Sequence, residues 1–238
     1  DMLSSLLLHR VHQENNRERN LGITKAIEIV DQIDEQALVA LTIVYTMSKI
    51  IPVASNVDLA LQNFDEVYKK LLNGNILPLG EEWMEHLDML SAIRMNAKGI
   101  GAFYKMEEFF PKVMDQFIVT GLPSDSEDLY KIIIDLRNNG IPTDIIIDNP
   151  LVKGNKIINP LVSDTEKIMF ISHYSGQSVE KKPNEQQILT IKRAIQKFRE
   201  LEGTDKPIDE FWCRWNSFPN LKNIREWFNQ LPVLFNVT

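Results

Sequence analysis

The sequence predicts a mainly α protein: an antiparallel helical array or short helical stack with a small two-stranded β insert near residues 144–162. Three observations carry that expectation. Apolar residues recur every three or four positions through the first 140 residues, the period of a helix with one buried face. Asp, Ser and Asn stand just before those runs and Gly just after them, where helices begin and end. Only from Ile141 does the pattern change, to β-branched runs broken by Asp-Asn-Pro and Lys-Gly-Asn, which predicts a short ribbon built on Ile145–Ile147 and Ile157-Ile158.

Leu3, Leu7 and Val11 define a first helix, expected to end near Asn20-Leu21-Gly22 with Gly22 as its C-terminal cap. Ile23, Ile27, Val30 and Ile33 form the next apolar stripe. Asp34 is placed to cap the helix after it, with the stripe Leu38, Leu41, Tyr45 and Ser48. Ser55-Asn56-Val57-Asp58 is a start signal before Leu61, Phe64, Tyr68 and Leu71. A loop from Gly74 to Gly80 leads into GEEWMEHLDMLSAIRMN, whose stripe is Trp83, Leu87, Leu90 and Arg94, widened by Met84 and Ile93. Gly99-Ile100-Gly101 ends it, and Pro111 predicts a kink or fresh start in the following segment. Ser124 or Asp125 is expected to cap the helix closed by Gly140. After the ribbon, helices are expected over 164–174 and 184–202, joined by an exposed linker, with two short helices around Trp212 and Trp227.

Composition excludes several function classes. With 238 residues, 44% hydrophobic and 25% charged, the chain can bury a core as one large domain or two small ones. The longest nearly uncharged apolar window, from Ala37, contains Thr42, Thr46, Ser48 and Lys49 and is broken by Pro52, so it reads as a core helix and not a membrane span. One cysteine, Cys213, permits no internal disulfide and fits a reducing cytoplasm. The chain opens mid-helix without an initiator Met and is expected to be a fragment. Residues 1–150 hold 13 Lys+Arg against 23 Asp+Glu, while residues 151–238 hold 13 against 10. The expected division follows that shift: an acidic helical array over 1–140 and a mildly basic mixed segment over 141–238, packed as one unit. The acidic part repels phosphate backbones and speaks against nucleic acid. Lys181, Lys182, Lys192, Arg193, Lys197 and Arg199 are the residues a nucleic-acid reading would use, diluted by Glu200 and Glu202.

Two stretches could carry chemistry. In HRVHQENNRERN, His9 and His12 share one helix face at a spacing that can hold a metal, but a useful site needs a third ligand. The stretch is therefore read as a solvated polar helix end. Glu82, Glu85, His86 and Asp88 place carboxylates and an imidazole about a turn apart, Glu82 to His86 and Glu85 to Asp88, the stock of acid/base work and metal ligation. Acids in a first turn are expected for dipole reasons alone. No G-x-S-x-G, G-x-x-x-x-G-K or G-x-G-x-x-G pattern is present. Cys213, between Trp212 and Arg214, is expected to be packed and inert. Phe211, Trp212, Trp215, Phe218, Trp227 and Phe228 cluster near the end, and Phe211, Trp212, Trp215 and Trp227 are the candidate partner anchors, against the alternative of a local core.

LLLHRVHQENNRERNLGITKAIEIVDQIDEQALVAL, EEWMEHLDMLSAIRMN and WNSFPNLKNI together resemble an uncharacterised family of bacterial helical proteins. The resemblance implies an intracellular bacterial protein extending beyond both ends of this chain. Some relatives look like parts of anti-phage or conflict systems. It carries over no catalytic residue and no cofactor. The expected function is a cytoplasmic protein-interaction or oligomerisation module, with a homo-oligomer or another protein as partner and no membrane. The alternative is a metal-dependent hydrolase using Glu82, His86 and Asp88, with His9 or His12 brought near.

Overall fold

Asp34 fixes a helix start as its position predicts: its carboxylate accepts from the backbone N–H groups of Gln36 (2.7 Å) and Ala37 (3.2 Å), two donors the first turn leaves without partners. The computed structural model describes residues 17–50, 52–93, 106–163, 170–174, 177–200 and 207–231. They form α1 (Arg17–Ile29), α2 (Glu35–Lys49), α3 (Val57–Leu72), α4 (Glu82–Met89), α5 (Met106–Val113), β1 (Leu122–Pro123), α6 (Glu127–Asn138), β2 (Ile146–Asp148), β3 (Asn155–Ile158), β4 (Phe170–Tyr174), β5 (Gln177–Lys181), α7 (Glu185–Glu200), α8 (Ile208–Ser217) and α9 (Pro219–Gln230). The protein is mainly α, with small antiparallel sheets. Among the described residues no helix is long and apolar enough to cross a membrane.

The chain divides into two compact units. The first gathers Asp1–Ile50, Val67–Met106 and Asn223–Thr238; the second gathers Ile51–Glu66 and Glu107–Lys222. Residues on both sides of the expected 140/141 division therefore belong to the second unit.

In the first unit α1 runs through Gly22, where the sequence predicts a cap. A Cβ there would meet nothing within 4 Å, so the glycine answers no steric need and helix propagation carries the chain past it. The buried stripe of α2 is Ala37, Ala40, Ile43, Val44 and Met47, not the larger residues Leu38, Leu41 and Tyr45; Tyr45 is exposed. The alanines form the flattest face of a helix that is apolar nearly all round, and that face admits the closest neighbour. α4 is shorter than GEEWMEHLDMLSAIRMN suggests. It buries Trp83, Met84 and Leu87, then stops at Met89, and Ser91 takes a positive φ of 57°. Trp227 stacks on Trp83 at 5.7 Å and donates its indole N–H to the Pro78 carbonyl at 2.7 Å.

In the second unit β1, β3 and β2 form an antiparallel sheet in that order, so the expected ribbon has three strands instead of two. The register is Ile146↔Ile158 and Ile147↔Ile157, so the isoleucines expected in the strands lie there except Ile145, which ends a 3-10 turn over Thr143–Ile145. β1 leaves no mark in the pattern because it holds only Leu122 and Pro123, too short for any periodicity. α6 and α7 bury Leu129, Ile132, Leu136, Ile191, Ala194 and Phe198 with Leu122 and Ile158 in one cluster. Ser126, not Ser124 or Asp125, caps α6, accepting from the Leu129 N–H at 3.2 Å. Ser124 is engaged elsewhere, its hydroxyl donating to the Gly154 carbonyl at 2.6 Å. Pro111 sits inside α5 without ending it. The helix expected over 164–174 and the linker after it give way, over the described residues 170–174 and 177–181, to the antiparallel pair β4 and β5, with a register from Phe170↔Lys181 to Tyr174↔Gln177; residues 164–169 lie outside the described residues. Leu3, Leu7, Val11, Arg94 and Gly99–Gly101, which the sequence assigns to helices and a break, lie outside the described residues.

Candidate functional site

Glu82, His86 and Asp88 lie on the eight-residue helix α4. Glu82 and Asp88 are exposed and His86 is half-buried. The His86 ring has a structural occupation: Nε2 lies 3.1 Å from the Gln32 carbonyl and 3.3 Å from the Asp34 N–H, both in the link between α1 and α2. One tautomer donates to the first and the other accepts from the second. Either way the imidazole ties α4 to the cap of α2. Among the described residues no group of three His, Cys, Asp or Glu side chains could hold a metal, so the convergence a hydrolase needs is not found on α4. His9 and His12, the other candidate ligands, lie outside the described residues.

The candidate anchors are interior. In the second unit Phe211, Trp212 and Trp215 are buried. Trp215 meets Phe110 at 4.9 Å, Phe211 at 5.9 Å and Phe64 at 6.4 Å, and its indole N–H donates to the Leu221 carbonyl at 2.8 Å. In the first unit Trp227 is buried against Trp83. Their burial supports the local-core alternative, since short helices of this composition have no other way to shelter such rings. Cys213, expected to be packed, is exposed instead, because the aromatic face of α8 turns away from it.

Arg214 beside it is fully engaged. Its Nη1 meets the Asp58 carboxylate at 2.5 Å, its Nε meets Glu210 at 2.9 Å, and its Nη2 donates to the Pro150 carbonyl. The guanidinium fork thus binds α3, α8 and the loop after β2, a joint that suits Arg and not Lys. Desolvation opposes its charge, yet hydrogen bonds and Coulombic attraction from Asp58 and Glu210 outweigh that and hold it above the usual arginine range.

Several large apolar side chains among the described residues stay exposed, Val53, Ile76, Leu79 and Met89 among them, and on α6 two of them share one face. Lys131-Ile132-Ile133-Ile134 puts three isoleucines in a row, and successive helical residues turn by about 100°. Ile132 is buried in the core cluster, Ile133 packs partly against it, and Ile134 is left on the outer face, 41% exposed. Tyr130, one turn earlier, is 65% exposed. Glu127 and Lys131 pair at 2.8 Å beside them. Tyr130 and Ile134 are absent from the sequence-derived candidates; their signal is the isoleucine triplet, which no single helix face can bury.

A family model matches residues 1–234 of this chain. The chain belongs to that uncharacterised family. No curated protein matches it, and no solved structure does. Membership therefore transfers no residue role, and the candidate site rests on the geometry of α6.

Proposed function

We propose that the chain is a helical protein-interaction or oligomerisation module. The observation that carries this reading is the outward pair Tyr130 and Ile134 on α6, large apolar groups held in water by a helix whose opposite face already fills a core. Covering the part of each side chain still in water stabilises a contact by about 1 kcal/mol, so they favour a protein surface over solvent. The wider setting, a bacterial cytoplasmic protein of conflict or anti-phage type, rests on the sequence resemblance alone. Metal-dependent hydrolysis receives no support from Glu82, His86 and Asp88, because the His86 nitrogen serves the α1–α2 link.

Native mass spectrometry of the purified chain tests the reading. An oligomer, or a stoichiometric protein partner, is the expected result. A monomer with a stoichiometric metal and no protein partner overturns it and makes Glu82 and His86 the first residues to substitute.

A further inference from the structure

We infer that the outer face of α6 is a self-association surface, on which α6 pairs antiparallel with α6 of a second copy; this rests on the interaction-module reading and names its partner. The occupant follows from the order of side chains along the face. At about 100° and 1.5 Å per residue, Glu127, Tyr130, Ile134 and Arg137 fall within roughly 80° of one another, on the side opposite the buried Ile132. They are also placed symmetrically about that residue. Tyr130 and Ile134 stand two positions either side of Ile132, and Glu127 and Arg137 stand five either side. A two-fold axis at the level of Ile132 therefore brings Tyr130 beside the second copy's Ile134, and Glu127 level with the second copy's Arg137.

The same symmetry decides against a parallel pair, which would stack Glu127 on Glu127 and Arg137 on Arg137. In the antiparallel pair each apolar centre is closed at both ends by an opposite charge, and the acidic first turn of one helix faces the basic last turn of the other. All four side chains are exposed and available. Glu127 also bridges to Lys131 on its own helix through one carboxylate oxygen, which leaves the other for the second copy's Arg137. A twelve-residue helix offers less than the roughly 1,200 Å² of total burial that a stable complex uses, so the association is weak and reversible.

The test is sedimentation equilibrium of the full chain over a concentration series, for wild type, E127K, R137E and an equimolar mixture of the two variants. The expected result is a reversible dimer whose dissociation constant rises at least tenfold in either variant alone. The mixture should recover dimers near the wild-type constant, because the lysine that E127K introduces then faces the glutamate that R137E introduces. Both substitutions work against the α6 dipole, so circular dichroism of each variant checks folding. Mixing cannot repair a helix that has unfolded, so recovery on mixing reports the contact between copies. A wild-type chain that stays monomeric at every concentration overturns the inference and leaves the module reading to a different partner. An oligomer unmoved by either charge reversal overturns the inference alone and sends the interface elsewhere.

Discussion

Two glycines show how differently one residue type is used. Gly121 has a φ of 71°, and a Cβ there would lie 2.3 Å from the Lys156 carbonyl oxygen and 2.8 Å from the Ile157 Cγ2. It lets the chain enter β1 directly against β3. Asn149 guards the same corner: its buried amide donates to the Val119 and Thr120 carbonyls and its oxygen accepts from the Leu151 N–H. Gly121→Ala should cost about 3 kcal/mol, from left-handed strain and overlap together. Gly22→Ala should instead raise stability by about 0.5–1 kcal/mol, since the helix gains propensity and the site is open. Urea melts of the two variants read both signs; a Gly121→Ala melt matching wild type would contradict the β1 geometry. Tyr68 gives a pH dependence. Burial pushes its phenol far above the ordinary tyrosine range. The unfolded chain ionises this group near pH 10 while the folded one keeps its proton, so stability falls as pH rises past about 10. Tyr68→Phe should flatten that alkaline limb.

At the scale of elements, helix boundaries divide into those written locally and those supplied from far away. Asp34 caps α2 from the adjacent position and is legible in the sequence. The start of α9 is capped by Asp65, from 155 residues earlier in the chain. Its Oδ1 accepts from the Asn220 N–H at 2.9 Å and the Leu221 N–H at 3.2 Å, while its Oδ2 accepts from the Asn220 side chain at 3.0 Å. No window of sequence contains both partners, so this cap cannot be read from it. Asp65→Ala should cost about 1–2 kcal/mol and speed amide exchange at Asn220 and Leu221. Asp65→Asn should fall between, because it keeps one accepting oxygen and loses the other. Exchange unchanged in Asp65→Ala would mean that α9 does not depend on this carboxylate. The shift of the α2 stripe from Leu38, Leu41 and Tyr45 to the alanine face has a related cause: in a helix apolar nearly all round, the neighbours choose the buried side.

For the whole molecule, the helical class, the ribbon over 146–158 and the final pair of helices are legible because their periods and breakers are local. The β4–β5 pairing is not, since its two five-residue strands are too short for their pattern to be told from helical spacing. The α6 face is half-legible. The isoleucine triplet states that something must face outward, but which isoleucine does depends on where the core cluster of α6 and α7 lies. Charge patterning, by contrast, marks no unit, because the compact units draw on residues scattered along the chain.

That scattering has a consequence for how the protein is made. The first unit needs segments up to Ile50 and segments from Asn223 onward. At a synthesis rate of about 5–20 residues per second, α1 and α2 wait roughly ten to thirty seconds before Trp227 exists to cover Trp83. Until then the apolar face of α4 is a nascent surface that a chaperone, a protease or another ribosome's product can find first. A chain released after Lys222 never leaves that state, and its Trp83 region should be cut by dilute protease under conditions in which the full chain survives.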